Sequence, residues 1–130
     1  MAESIEVSEV FPVSPDELYR AWLNSERHSA FTGGTAVFDP TVGGRFTSWD
    51  GYIEGTTEQL EPPRRILQSW RTTDFPADSP DSLLEILIEP AEGGSKLTLL
   101  HSNIPQGQGK SYEQGWYDHY FLPMKKYFQG

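Results

Sequence analysis

Apolar positions along this chain follow two different periods. Ile5, Val7 and Phe11 share one parity, which predicts a first strand with one buried face, interrupted by Glu9. Between residues 42 and 103 the period stays near two, and strands are predicted over 45–49, 52–60, 66–73, 83–89 and 96–102. The segments between them are short turn signals: Asp50-Gly51, the strongest hairpin signal in the chain, Pro62-Pro63, the polar loop 74–81, and Gly93-Gly94. Local connections of this kind join antiparallel neighbours, so a meander is expected instead of βαβ units.

Helical spacing occupies the other two regions. Ser14-Pro15-Asp16-Glu17 is a compact helix start, with a capping serine, a proline for the first turn and a glutamate to close a capping box. Leu18, Ala21 and Trp22 continue it as an apolar stripe, with Tyr19 beside it. Ser25-Glu26-Arg27-His28 opens a second short helix that ends at Thr32-Gly33-Gly34. The last segment, 112–128, has rings or apolar groups at 112, 116, 120 and 124 and again at 117, 121 and 128. That is more than one stripe, so most of this helix is predicted to be enclosed. Ser111 and Gln114 offer it a capping box, and Pro123 should kink it against the carbonyl of His119. A helix bearing so many rings needs cover, and the meander must curl around it. The predicted architecture is an α+β domain over 1–130, a strongly curved antiparallel sheet wrapped around a long C-terminal helix.

Composition sharpens this picture. Four Trp, six Tyr and seven Phe in 130 residues imply either a very dense core or a ring-lined pocket. The chain has no cysteine, which removes thiolate chemistry and cysteine-ligated metal sites. Nineteen acidic against ten basic residues leave a formal charge of −9, a surface that repels phosphates, so a nucleic-acid partner is not expected. The basic pairs Arg64-Arg65 and Lys125-Lys126 read as solvated charge. No run approaches the roughly 20 apolar residues of a membrane span. The acidic start of the chain does not resemble a signal peptide, and a cytoplasmic setting is expected.

Chemistry-bearing groups are few. His28, His101 and His119 have no metal-ligand spacing, and neither a metal nor a cofactor is expected. Glu9, on the apolar side of its strand, needs a partner, for which Arg71 and Arg45 are candidates; strand-end exposure and a catalytic role are the other readings. Glu54 and Glu58 share a parity and form either a solvated outer face or an inward carboxylate pair. Nucleophile elbow, phosphate-binding loop and dinucleotide fingerprint are all missing from the sequence, so no catalytic residue is assigned and the reading leans away from an enzyme. The residues expected to line a cavity, or else to pack the core, are Trp49, Trp70, Trp116, Tyr120 and Met124; His101, on the parity of Leu97 and Leu99, is either a hydrogen-bonded histidine at the edge of the core or a polar contact or proton donor at the pocket mouth.

The runs Ser14-Pro15-Asp16-Glu17-Leu18-Tyr19-Arg20-Ala21-Trp22, Gly43-Gly44-Arg45-Phe46, Trp49-Asp50-Gly51 and Leu67-Gln68-Ser69-Trp70-Arg71 resemble the activator of heat-shock-protein-90 ATPase family. Leu97-Thr98-Leu99, Ile104-Pro105 and, most specifically, Gly115-Trp116-Tyr117-Asp118-His119-Tyr120-Phe121-Leu122-Pro123-Met124-Lys125 continue the resemblance in the family's order. It implies a helix-grip fold of six or seven strands, shared with START-like lipid-binding proteins, with two short helices after the first strand and an apolar cavity between helix and sheet. It also implies likeness to the C-terminal domain of the eukaryotic co-chaperone as a stand-alone chain. Three functions are weighed on this basis. The leading one is non-catalytic binding of a hydrophobic small molecule or lipid in that cavity. The alternatives are a co-chaperone-like module acting on a heat-shock-protein-90-class partner, and a cyclase- or hydrolase-like enzyme, which needs His101, Glu9 or the Glu54–Glu58 pair to converge on one pocket.

Overall fold

The computed structural model describes residues 2–129. Strand β1 (Glu3–Phe11) leads into two short helices, α1 (Pro15–Leu23) and α2 (Ser25–Thr32). Ser14 caps α1 by accepting from the Glu17 N–H at 3.2 Å, and Asn24 caps α2 by accepting from the Arg27 N–H at 2.9 Å. Gly33, at φ 88°, ends α2 in the left-handed conformation that glycine adopts without penalty. Six strands follow as a meander: β2 (Val37–Phe38), β3 (Arg45–Ser48), β4 (Ile53–Glu61), β5 (Arg65–Thr72), β6 (Ser82–Ala91) and β7 (Gly94–Ile104). The sheet runs β1-β7-β6-β5-β4-β3-β2, antiparallel at every junction. α3 (Gly109–Gly115), a π-helical segment (Trp116–Phe121) and α4 (Leu122–Phe128) then run on as one C-terminal helix. This is the helix-grip architecture expected from the sequence.

Strict alternation builds the inner face. Ile66, Gln68, Trp70 and Thr72 of β5 are buried, as are Ser82, Leu84, Ile86 and Ile88 of β6 and Ser95, Leu97, Leu99 and His101 of β7. Against them pack Trp116, Tyr120, Phe121 and Met124 of the helix, each nearly or completely buried. Enclosing one such side chain contributes about 1.5–3 kcal/mol, so the helix is held by packing far more than by its own propensity. At Gly55 the β4 backbone lies so close to β5 that an added Cβ would stand 1.9 Å from the Ser69 carbonyl oxygen.

Several local expectations need correction. The Asp50-Gly51 hairpin is a wider connection: Trp49–Gly51 form a 3₁₀ turn, and the ladder resumes with Ser48 opposite Ile53. Trp49 and Asp50 both adopt positive φ, 51° and 60°, which a two-residue turn starting at Asp50 does not require of the tryptophan. The helix does not use the Ser111–Gln114 capping box; it begins at Gly109. Glu3, from the far end of the chain, accepts from the Gly107 and Gly109 N–H groups at 3.0 and 2.8 Å instead. Those two backbone bonds hold the Glu3 carboxyl below its usual pKa. Pro123 produces a π-helical turn ahead of it instead of a sharp kink, with the Leu122 N–H reaching five residues back to the Tyr117 carbonyl. The wider turn relieves the crowding that proline imposes on the carbonyl four residues earlier.

Glu9 pairs with Lys125 at 3.5 Å, not with Arg71 or Arg45. Those arginines hold Asp81 at 2.8 Å and Glu54 at 3.4 Å respectively. The buried face of β4 carries Ile53, Gly55 and Thr57, which puts Glu54 on the outer face, and Glu58 falls in a bulge with its side chain exposed.

Candidate functional site

One end of the helix–sheet interface is not filled. Between the π segment and strands β4 and β5 lies a cleft of about 720 Å³, lined by Trp49, Tyr52, Ile53, Trp70, Ser111, Tyr112, Gln114, Gly115, Trp116, Asp118, His119 and Tyr120. The helix supplies one wall through a stripe at helical spacing, and the π turn widens the helix where that stripe faces the opening. The opposite wall comes from Tyr52 and Ile53 at the start of β4 and Trp70 near the end of β5.

Trp49 stands at the mouth. Its left-handed backbone is fixed through Asp50, whose N–H donates to the Thr35 carbonyl at 3.0 Å and whose carboxylate accepts from the Thr35 N–H at 2.8 Å. The indole lies against Gly34, where an added Cβ would stand 2.8 Å from it, and meets the His119 ring edge-on at 5.7 Å. Its Nε1 is buried with no hydrogen-bond partner.

Behind the rings run two buried histidine networks. His101 Nδ1 accepts from Trp116 Nε1 at 3.2 Å. Its Nε2 lies 2.8 Å from the Ser82 hydroxyl, which itself donates to the Trp70 carbonyl at 2.6 Å. The ring therefore carries its proton on Nε2. His28 must carry its proton on Nδ1, which faces the Trp22 carbonyl at 2.8 Å, leaving Nε2 to accept from the Tyr120 hydroxyl at 2.9 Å. Tyr120 in turn accepts from Ser48 at 3.0 Å. Burial pushes both histidines down from 6.5 to about 3, and it raises the Tyr120 phenol well above the ordinary tyrosine range. The uncharged forms of all three are thereby favoured; they fix ring orientation and leave the cleft wall apolar. At the rim, burial and then the bond to Asp74 at 2.5 Å raise the Tyr52 phenol to about 12. Tyr112, also raised by burial, bridges Thr72 and Gln108 at 2.7 Å each.

Of the six residues expected at a cavity, the structure brings Trp49, Trp70, Trp116 and Tyr120 together on its wall. His101 is not at the mouth; it is the hydrogen-bonded core histidine of the two readings, behind the wall, 4.5 Å edge-on from Trp70 and bonded to Trp116. Met124 lies outside the cleft, fully buried beyond the π segment, where α2 covers the helix. Among the described residues, Glu9, Glu58 and His101 line neither this cleft nor the small recess beside it, and Glu54 borders the recess alone, so the acid–base constellation is not assembled there. Ser111, Gly115, Asp118 and His119 were not anticipated, although they fall three or four residues apart beside the ring stripe and were legible as its flank. His28 carried no local signal, because both of its partners come from other elements or turns.

The model of the family described as Activator of Hsp90 ATPase homolog 1-like protein matches residues 12–129. The human activator of 90 kDa heat shock protein ATPase homolog 1 is 31% identical over 124 residues, which is 95% of this chain and 36% of the human protein. The Dictyostelium discoideum activator is 27% identical over 117 residues, 88% of this chain and 30% of that protein. The chain thus spans about a third of the curated relatives it matches. Among solved structures, an HSP90 activator from Plasmodium falciparum superposes with a TM-score of 0.85 at 25% identity, covering 95% of this chain and 94% of that one. CalU16 from Micromonospora echinospora gives 0.81 at 24% identity, over 99% of this chain and 67% of that one, a likeness of fold.

Proposed function

The chain belongs to the Activator of Hsp90 ATPase homolog 1-like family, and from that premise we propose that it is a co-chaperone-like interaction module acting on a chaperone of the heat-shock-protein-90 class. One observation carries this reading: the Plasmodium activator's solved chain is matched over 94% of its length, so a chain of little more than this fold bears the activator description. The charge of −9 suits docking on a basic face, an attraction that salt screens. The test is calorimetric titration of the chain into the host's heat-shock-protein-90-class chaperone at low and high salt, alongside the chaperone's ATPase rate. Association that weakens with salt, with a changed ATPase rate, is expected. No heat of binding and an unchanged rate at micromolar concentrations would dismiss the proposal. A cytoplasmic setting goes with it.

A second reading has its own observation. The ring-lined cleft of about 720 Å³ falls within the range of small-molecule sites, about 300–1,000 Å³, and has the apolar lining with few polar groups typical of them. It supports non-catalytic binding of an apolar small molecule between helix and sheet. Native mass spectrometry of the purified chain, with and without added apolar probes, tests it; a chain that retains none of them removes the reading.

A further inference from the structure

The charge of the cleft narrows what it holds. Six of its twelve lining residues are tryptophan or tyrosine, and none is lysine or arginine. Its one carboxylate, Asp118, stands exposed on the helical wall and is oriented by Gln114, whose Nε2 donates to both carboxylate oxygens at 3.0 and 3.1 Å. A second carboxylate, Asp74, lies outside the lining and accepts from the hydroxyl of the lining residue Tyr52. Arg71, which with Tyr52 lines a small neighbouring recess, is committed to Asp81 at 2.8 Å and to the carbonyls of Ser79 and Pro76 at 3.1 and 3.2 Å. The chain as a whole carries a formal charge of −9. Ring faces present negative potential to a cation, whereas an anion brought here finds no lysine or arginine in the wall and meets the Asp118 carboxylate.

We infer that the cleft takes a small organic cation, an ammonium group on an apolar, ring-bearing body, with the body between the helix and sheet and the charge at the Asp118 side of the mouth. This rests on the reading of the cleft as a small-molecule site and is independent of the chaperone reading. The anionic head of a fatty acid is the ligand this wall disfavours.

Three probes with one body separate the outcomes: (2-naphthylmethyl)trimethylammonium, 2-naphthalenemethanol and 2-naphthylacetate, titrated calorimetrically at low ionic strength. The cation should bind about five- to thirtyfold more tightly than the alcohol, and the carboxylate more weakly than either. Asp118→Asn, an exposed substitution whose folding is verified by its melting temperature, should weaken the cation about two- to fivefold and leave the alcohol unchanged. A carboxylate that binds as tightly as the cation, or an Asp118→Asn variant that affects cation and alcohol alike, overturns the inference while leaving the cleft a binding site. Failure of all three probes to bind overturns the small-molecule reading itself and the inference with it.

Discussion

The two ends of the C-terminal helix carry similar numbers of rings and meet opposite fates. At the α4 end, Phe11 stands edge-on to Phe121 and Phe128 at 5.9 and 6.0 Å, and Phe31 of α2 reaches Phe128 at 6.2 Å. Phe11, Phe31 and Phe121 are 0–2% exposed. At the other end, Trp70 meets Tyr112 at 5.0 Å and Trp116 at 5.6 Å, just as close, and Trp70 and Trp116 are 2–3% exposed, yet Tyr52 beside them is 37% exposed and the wall borders open space. The difference lies in cover, not in ring content. The α1–α2 pair caps one end of the groove, with Arg27 reaching over to Tyr127 at 3.1 Å, and leaves the other end to solvent. Where an aromatic surface is covered by its own chain it becomes core, and where it is not it becomes a site.

A first way to probe this comparison is to acidify, because each end rests on a buried histidine. Both rings have folded pKa values depressed from 6.5 to about 3, so the unfolded chain takes up protons that the folded chain refuses. Their contribution is complete above about pH 6.5 and is lost as pH falls from there towards 3, by up to about 1.4 kcal/mol per pH unit for each ring. Below about pH 4.5 Glu3, whose folded pKa is lowered, adds its own loss in the same direction. Urea unfolding should therefore show a slope that rises from about half a proton near pH 7 to nearly two near pH 5, and the loss accumulated towards pH 3 is the largest effect expected here. His28→Gln and His101→Gln should each remove about half of that slope. A flat profile in the unsubstituted chain would mean that neither ring is shielded from water.

Truncation tests the covered end directly. Phe11→Ala should cost about 3–5 kcal/mol, the range for a fully buried ring whose neighbours cannot collapse into the space. A loss below about 1 kcal/mol in urea unfolding would show that end to be as loosely packed as the cleft. Between the ends, Tyr120→Phe removes only the hydroxyl that joins His28 to Ser48. Two buried partners then lose a bond, and a destabilisation of about 1–3 kcal/mol is expected. An unchanged unfolding midpoint would show that Tyr120 contributes its ring alone.

The same contrast explains what was legible in the sequence. Period-two alternation over 42–103 and the ring pattern after residue 111 are local signals, and they located five strands of the sheet and the gripped helix. β2 has only Val37 and Phe38, too short to alternate, and so left no mark. Ser14 was readable as a cap because its partner is three residues away, whereas Glu3 caps a helix more than 100 residues on. Trp116 and Tyr120 were legible because they share the helical stripe that faces the sheet, and Trp70 because it alternates with the buried positions of β5. Met124 shares that stripe too, but it lies at the covered end, and nothing in its spacing reveals where α2 docks. Glu9 paired with Lys125 for a similar reason: the choice among cations is made by how the helix crosses β1.

The smallest effect should come from Trp49→Gly at the mouth of the cleft. Losing a half-buried indole removes apolar contact, including its edge-on meeting with His119. Two features of the present residue offset that loss. Its φ of 51° is uncommon for a bulky side chain and costs of order 1–3 kcal/mol, which glycine would not pay. Its Nε1 is also buried without an acceptor, a further penalty of about 1–3 kcal/mol that the substitution deletes. The net change should stay within about 1 kcal/mol in either direction, read from the urea midpoint at neutral pH. A loss approaching that of Phe11→Ala would mean that Trp49 is packed like core and that the two ends differ less than their exposure implies. Near-neutrality would instead identify a residue whose large ring is poorly explained by stability and well explained by what enters beside it.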